Sequence, residues 1–346
     1  MNLYHLGHVP WQDSQLIYHA QPLVGMDAIN ILAPSTPYFC IGYHQDLEQE
    51  VDVAYCEKNH IPLFRREVGG GAVYLDGNQI FYQIILHKDN PLAHGDKLEF
   101  YQRLLQPVAD TYTELGVPVT YRPVNDLVTR EGRKISGNGA ATMGNYFVLV
   151  GNLIADFNYD VMTQVLRVPD EKYRDKVFKS MTENLTTLKR ELGHLPTWDE
   201  MATPLIHKFE KVLGPLTLAT LPQAVVDKVA EIRPRFETKE WLYKKGKQES
   251  GRDVRISSAV IVIHRMYKAP GGLIKATFEQ HGDRLENVSL SGDFFSYPED
   301  SISDLEKSLH GKKNGEVPGI ISQFYASSKM DTPGVTVEDW MKVFNG

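Results

Sequence analysis

The sequence predicts an α+β protein of two domains, and three observations carry that expectation. Helix-like and strand-like segments alternate from about Leu16 to Leu115, with no internal repeat in that stretch. Between Gly193 and Glu237 the texture turns to helical segments punctuated by prolines, which reads as a domain join. From Arg255 three strand-like runs lead into a capped amphipathic segment, a compact α+β module. The chain of 346 residues is long enough for two separate cores. The expected division is 1–215 for the larger domain and 235–346 for the smaller.

Taken in order, "PYFCIGYHQDLEQEVD" reads as a strand entering a polar turn, and "VDVAYCEKNHIPLF" as a helix leading into a strand near Ile61. Leu98, Leu105, Val108, Ala109, Tyr112 and Leu115 recur at helical intervals and stop at Gly116. That helix reads as core scaffolding. "VTYRPVNDLVTREGRKISGNGAATMGNYFVLVGNLIADF" reads as short strands joined by turns rich in Gly and Asn. In the tail, "AVIVIHRMY", "GLIKATFEQ" and "LENVSLSGDF" read as antiparallel strands turned at Pro270-Gly271-Gly272 and Gly282-Asp283. "DSISDLEKSLHG" has an Asp or Ser cap, amphipathic spacing and a terminal Gly, so a helix is expected against that sheet.

Composition removes several classes of function. A formal charge of −7 gives no global electrostatic reason to bind nucleic acid or an anionic membrane. No long apolar run is present, and "MNLYHLGHVPWQDSQ" lacks a basic start and apolar core, so a cytoplasmic protein is expected. Cys40 and Cys56 lack CxxC spacing, and the histidines show no HExxH, so neither a disulfide framework nor a zinc site is expected.

The stretch "FRREVGGGAVYLDGNQIFYQIIL" sets two arginines ahead of three glycines and a β-rich run. It lacks the GK[ST] ending of a P-loop, and "GNGAAT" at Gly137 precedes a strand rather than a dinucleotide-binding helix. Two readings fit the first stretch alone. One is an anion site, with backbone N–H groups made approachable by glycine and Arg65 and Arg66 as forks for carboxylate or phosphate. The other is a tight bend in a sheet with two surface arginines. "NDL" at Asn125 and "GRKISGNGAA" around Lys134 add a second constellation, with a basic side chain beside residues small enough for a ligand to pass.

Together these residues resemble the lipoate-protein ligases, relatives of biotin protein ligases and octanoyl transferases. The likeness rests on "RREVGGGAVYLDGN", "NDL", "RKISGNGAA", "VGNLIADF" and "KYRDKVFKSMTENLTTL" in family order, with "ETKEWLYKKG" and "LENVSLSGDFF" matching the accessory domain of the two-domain type. The resemblance implies a catalytic domain with a mixed, largely antiparallel sheet, of the fold shared with biotin ligases, and a small C-terminal α+β accessory domain.

It implies ATP- and Mg²⁺-dependent activation of lipoate as lipoyl-adenylate, then transfer to a lysine of a carrier protein. ATP, Mg²⁺ and lipoate enter as substrates and ion, with no tightly bound cofactor. By similarity Lys134 bridges carboxylate and α-phosphate oxygens, since charge building there calls for preorganised donors. Arg65, Arg66 and the N–H groups of Gly69, Gly70, Gly71 and Ala72 are expected to hold phosphates or the mixed anhydride. Gly71, Ala72, Val73 and Tyr74 are expected to line the adenylate, and Ile135, Gly137 and Ala140 to leave room for the acyl chain. Asn78, Asn125 and Ser136 complete the expected binding set. Asp126 reads as a Mg²⁺ or nucleotide ligand or as a turn residue.

The expected partner is a lipoyl carrier: a 2-oxoacid dehydrogenase subunit, the glycine-cleavage H-protein, or an H-like carrier of sulfur metabolism. The basic stretch Lys172 to Lys179 is expected either to steer an acidic carrier or to be a solvated surface. A monomer is expected. Leu75 stands where the family often has a histidine, and "LVGNLI" where it often has "HHGTLL", so the pocket lining is expected to differ. The rival readings are an acyl transferase with a cysteine nucleophile and a non-catalytic lipoate binder. Cys40 and Cys56 both precede the glycine stretch, away from the place expected for such a nucleophile.

Overall fold

The structure is a computed structural model that describes residues 1–168, 173–245, 254–255 and 260–345. The chain forms two compact units: Met1–Cys40, Val51–Phe64 and Val73–Thr238 make the first, and Ile41–Glu50, Arg65–Ala72 and Lys239–Gly346 the second.

The first unit is built on a six-stranded sheet in the order Asn138–Met143, Tyr146–Ile154, Gln79–His87, Ala28–Pro34, Asn2–Val9, Thr217–Leu218. The pairings from Asn138–Met143 through Ala28–Pro34 are antiparallel, and the two involving Asn2–Val9 are parallel. Alternation of side chains means that a strand buried at every position has both its faces covered. Ala28–Pro34 is buried throughout, and so is Gln79–His87 up to its last residue. Helix Asp13–Leu23 packs on both these strands and on helix Gln223–Phe236. Helix Trp198–Leu213 packs on Gln79–His87 and on Lys97–Glu114, the helix read from the spacing of Leu98 to Leu115.

Two further small sheets complete this unit. Phe39 pairs with Tyr74, so the segment after the glycines starts as a strand, Val73–Leu75. Val119–Arg122, Asp126–Thr129 and Lys134–Ser136 form a meander that displays the Lys134 motif.

The second unit carries the three expected antiparallel strands, Val260–Ala269, Gly272–His281 and Arg284–Gly292, with Val254–Arg255 at one edge. Ile274, Ala276 and Phe278 alternate inward along the middle strand. They meet Ile302 and Leu305 from helix Ser301–Leu309, Ile321 from Val317–Ala326 and Trp340 from Val337–Asn345. Among the described residues no helix is long and apolar enough to cross a membrane.

Candidate active site

In the first unit the meander places Lys134, Asp126 and Arg122 together. Arg122 and Asp126 are paired across a tight turn, and Lys134 lies in register with Val128 on the neighbouring strand. The Lys134 ammonium sits 2.7 Å from one Asp126 oxygen, and Arg122 reaches the other at 2.9 Å. Burial pushes the Asp126 carboxyl up, but the two cations outweigh it and hold the group below the usual carboxylate range. A cation thus sits on each Asp126 oxygen, and no cluster of three or more His, Cys, Asp or Glu stands among the described residues.

Lys134 keeps about a third of its side-chain surface exposed (35%) and borders a cavity of about 490 Å³. The rest of the lining comes from Tyr173, Lys176, Val177, Met181, Leu185 and neighbours, on and around helix Arg174–Asn184. The lining surface is mainly apolar, with Lys134 and Lys176 as its two cationic residues, which suits a monocarboxylic acid with an apolar tail. The Lys134 backbone is fixed from that side too: Thr186 donates its N–H to the Lys134 carbonyl at 2.8 Å. Helix Arg174–Asn184 buries none of its residues, and Arg174 caps carbonyls of Thr163, Gln164 and Leu166. Lys172 lies outside the described residues.

Behind Lys134 runs a buried polar layer. Ile135 is fully buried, and its carbonyl accepts from Tyr112 Oη at 2.6 Å. Ser136 Oγ donates to the Asn152 carbonyl at 2.7 Å, and the Gly137 N–H to Asn152 Oδ1 at 2.8 Å. Asn125 and Asn138 exchange side-chain-to-carbonyl bonds, and Tyr82 donates to the Asn138 amide oxygen. Ala140 is buried in the strand that follows. Asn125, Asp126, Lys134, Ile135, Ser136, Gly137 and Ala140 thus share one region of the first unit. Val73, Tyr74 and Asn78 also belong to this unit. The Tyr74 hydroxyl, hydrogen-bonded to Asp76, is pushed up to about 12 by burial and by that carboxylate. The Asn78 carbonyl accepts from Ala155 and Asp156.

Arg65, Arg66 and Gly69 to Ala72 belong to the second unit. Arg65 is fully buried, and its guanidinium donates to backbone carbonyls: Nε to Trp241 and Leu242, Nη1 to Gly42, Tyr43 and Gln45, and Nη2 to Leu242, at 2.6–3.2 Å. Trp241 returns its indole N–H to the Arg65 carbonyl at 2.8 Å. The expected phosphate fork is here a clamp on two backbone segments. Arg66 folds over the glycine loop, donating to the carbonyls of Gly69 and Gly71 at 2.8 Å each. Gly70 is in the left-handed region at φ +88° and donates its N–H to the Phe294 carbonyl at 3.3 Å; a Cβ there would lie 2.9 Å from the Phe295 ring. The glycines thus allow close approach, and the neighbour they approach is protein backbone and an aromatic ring.

Both cysteines are fully buried, and burial pushes the Cys56 thiol up to about 12, far from a nucleophile's range. Gln79, Asn152, Tyr82 and the hydroxyl of Tyr112 give no local sequence signal of their roles, which depend on pairings between distant segments. Nor does His44, fully buried in the second unit, stacked on Phe294 and, among the described residues, without a hydrogen-bond partner on either ring nitrogen.

Comparison with known proteins sets this geometry in a family. The model of the "Lipoyl protein ligase A/B catalytic domain" matches residues 20–210. The chain is 28% identical to "Lipoate-protein ligase LplJ" of Bacillus subtilis over 80% of this chain and 78% of that protein. It is 24% identical to "Octanoyltransferase LipM" of Halalkalibacterium halodurans over 67% of this chain and 92% of that one. The bipartite lipoate protein ligase of Thermoplasma acidophilum, solved in a study of that ligase and its E2 lipoyl domain, superposes with a TM-score of 0.63 at 25% identity, covering 72% of this chain and 98% of that one. With more than half its length inside that catalytic-domain model, and with the lipoate ligase fold, the chain belongs to the lipoate-protein ligase family.

Proposed function

We propose that the protein activates lipoate with ATP and passes the lipoyl group to a lysine of a carrier protein. A lipoate carboxylate oxygen attacks the α-phosphorus, pyrophosphate leaves, and the mixed anhydride is then opened by the carrier's amine, forming an amide and releasing AMP and a proton. The observation that carries this reading is the Lys134 ammonium at the border of an apolar cleft, one-third exposed and, among the described residues, held by the Asp126 carboxylate. Two anions meet in the first step, and a preorganised cation beside them lowers that barrier. The Asp126 pair keeps the ammonium near its working place until a carboxylate and a phosphate compete for it. Mg²⁺ enters with ATP as part of the substrate, and no side chain of this protein is assigned to it. Arg66 and the amides of Gly69, Gly71 and Ala72 are proposed as anion donors of the second unit, and Arg65 as the clamp that shapes them.

The carrier is taken to be a lipoyl domain such as the E2 domain paired with the Thermoplasma ligase, with the glycine-cleavage H-protein and an H-like carrier of sulfur metabolism as the other classes. Lys176 and Lys179 are proposed to face an acidic carrier. Octanoyl transfer, the activity in the name of the Halalkalibacterium relative, would here need an activated thiol if it ran through a cysteine, and the burial of both cysteines weighs against that. The test is pyrophosphate release from ATP with lipoate, octanoate or biotin, in the wild type and in Lys134→Ala. Acid-dependent release that falls at least about 100-fold in the variant supports the reading; release unchanged in the variant removes Lys134 from the chemistry.

A further inference from the structure

We propose that Gln79 and Asn152 form a relay of fixed polarity that positions the Lys134 strand; its catalytic consequence rests on the acid-activating reading above. A carboxamide has an acceptor at one end and donors at the other, so a chain of amides has a direction. The Gly137 N–H only donates, and the Tyr74 carbonyl only accepts. Between them lie two buried amides: Gly137 N–H to Asn152 Oδ1 at 2.8 Å, Asn152 Nδ2 to Gln79 Oε1 at 2.8 Å, and Gln79 Nε2 to the Tyr74 carbonyl at 3.1 Å. With the ends fixed, only one orientation of both amides satisfies every group.

Gln79 is 1% exposed and Asn152 8%, so a lost partner is replaced by water only at a cost. Asn152 grips the chain twice, since its own carbonyl takes the Ser136 hydroxyl. Those two contacts fall on Ser136 and Gly137, at the end of the short strand that begins with Lys134. The far end of the relay holds Tyr74, on the strand that follows the glycine-rich stretch. Two segments far apart in sequence are thereby tied through the side chains of strands Gln79–His87 and Tyr146–Ile154. Gln79 and Asn152 are positioning residues: they act on the reaction through the backbone that carries Lys134.

The polarity supplies the test. In Asn152→Asp the ionised carboxylate has acceptors at both ends, and whichever way the Gln79 amide turns, an acceptor meets an acceptor. Once protonated, the new carboxyl offers one acceptor and one donor, and the original direction is restored. At alkaline pH, kcat for lipoate-dependent pyrophosphate release is expected to fall about 10- to 100-fold in N152D and N152L, with KM for ATP within about twofold of wild type. On acidification N152D regains activity relative to wild type, and N152L does not. Adding Gln79→Leu to N152L costs little more, because both break one chain.

Wild-type kcat per folded molecule in both variants, with only the melting temperature lowered, would reduce the relay to a structural contact and overturn the proposal. So would N152D that shows no recovery at low pH. If the wild type turns over no acid at all, the acid-activating reading fails, and the relay is then judged by amide exchange at Gly137. Protection relative to the intrinsic rate in wild type and in acid N152D, but not in N152L, supports it; equal protection in all three overturns it.

Discussion

Arg65 shows how a residue type is legible while its employment is not. Two arginines before three glycines announce a concentration of donors, but whether those donors serve a ligand or the chain depends on residues 239–245, far away in sequence. Replacing Arg65 by Lys keeps the charge and loses the fork. The buried carbonyls of Gly42, Tyr43, Gln45, Trp241 and Leu242 then share too few donors. The expected cost is about 3 kcal/mol or more, read as a lower urea midpoint. An unchanged midpoint would contradict the clamp. His44 makes a second prediction at this scale. Burial, with Lys245, Lys244 and Arg65 adding to it, holds its pKa well below the ordinary 6.5, so the unfolded chain binds the proton more readily. Stability from the neutral ring is complete above about 6.5 and drains away as pH falls below it. Thermal melts of wild type and His44→Phe across pH 5 to 8 should show the variant with a flatter acid limb; parallel curves would refute this.

Among elements, the long hairpins of residues 260–292 and the helices read from apolar spacing were legible because their signals are local. Period-two alternation, turn glycines and caps each act within a few residues. Thr197 and Glu200 form a capping box for helix Trp198–Leu213, and Thr197→Ala is expected to cost about 1 kcal/mol in equilibrium unfolding. The polar layer beneath Lys134 was not legible, since Gln79, Tyr82, Asn138 and Asn152 meet only when three strands pair in register. Gly151 reports that pairing. A Cβ there would collide with the Asn138 amide and the Tyr82 hydroxyl, so Gly151→Ala must displace their hydrogen bond. A loss of about 2 kcal/mol or more in unfolding free energy is expected. A neutral effect would show that the layer yields without cost.

For the molecule as a whole, the family was legible from motif order, which the catalytic-domain match over residues 20–210 supports. The sequence motifs placed Lys134 at the centre of the expected chemistry, and the structure puts it at the border of a cleft with Asp126 as its counter-ion. Ligase and transferase readings share this fold and differ in where the acyl group comes from. Mass analysis of an apo lipoyl domain, incubated with the protein and either ATP plus free lipoate or an octanoyl thioester without ATP, separates them. A lipoyl adduct on one lysine is expected only when ATP and lipoate are both present. An octanoyl adduct formed without ATP, with none from free lipoate, would contradict it.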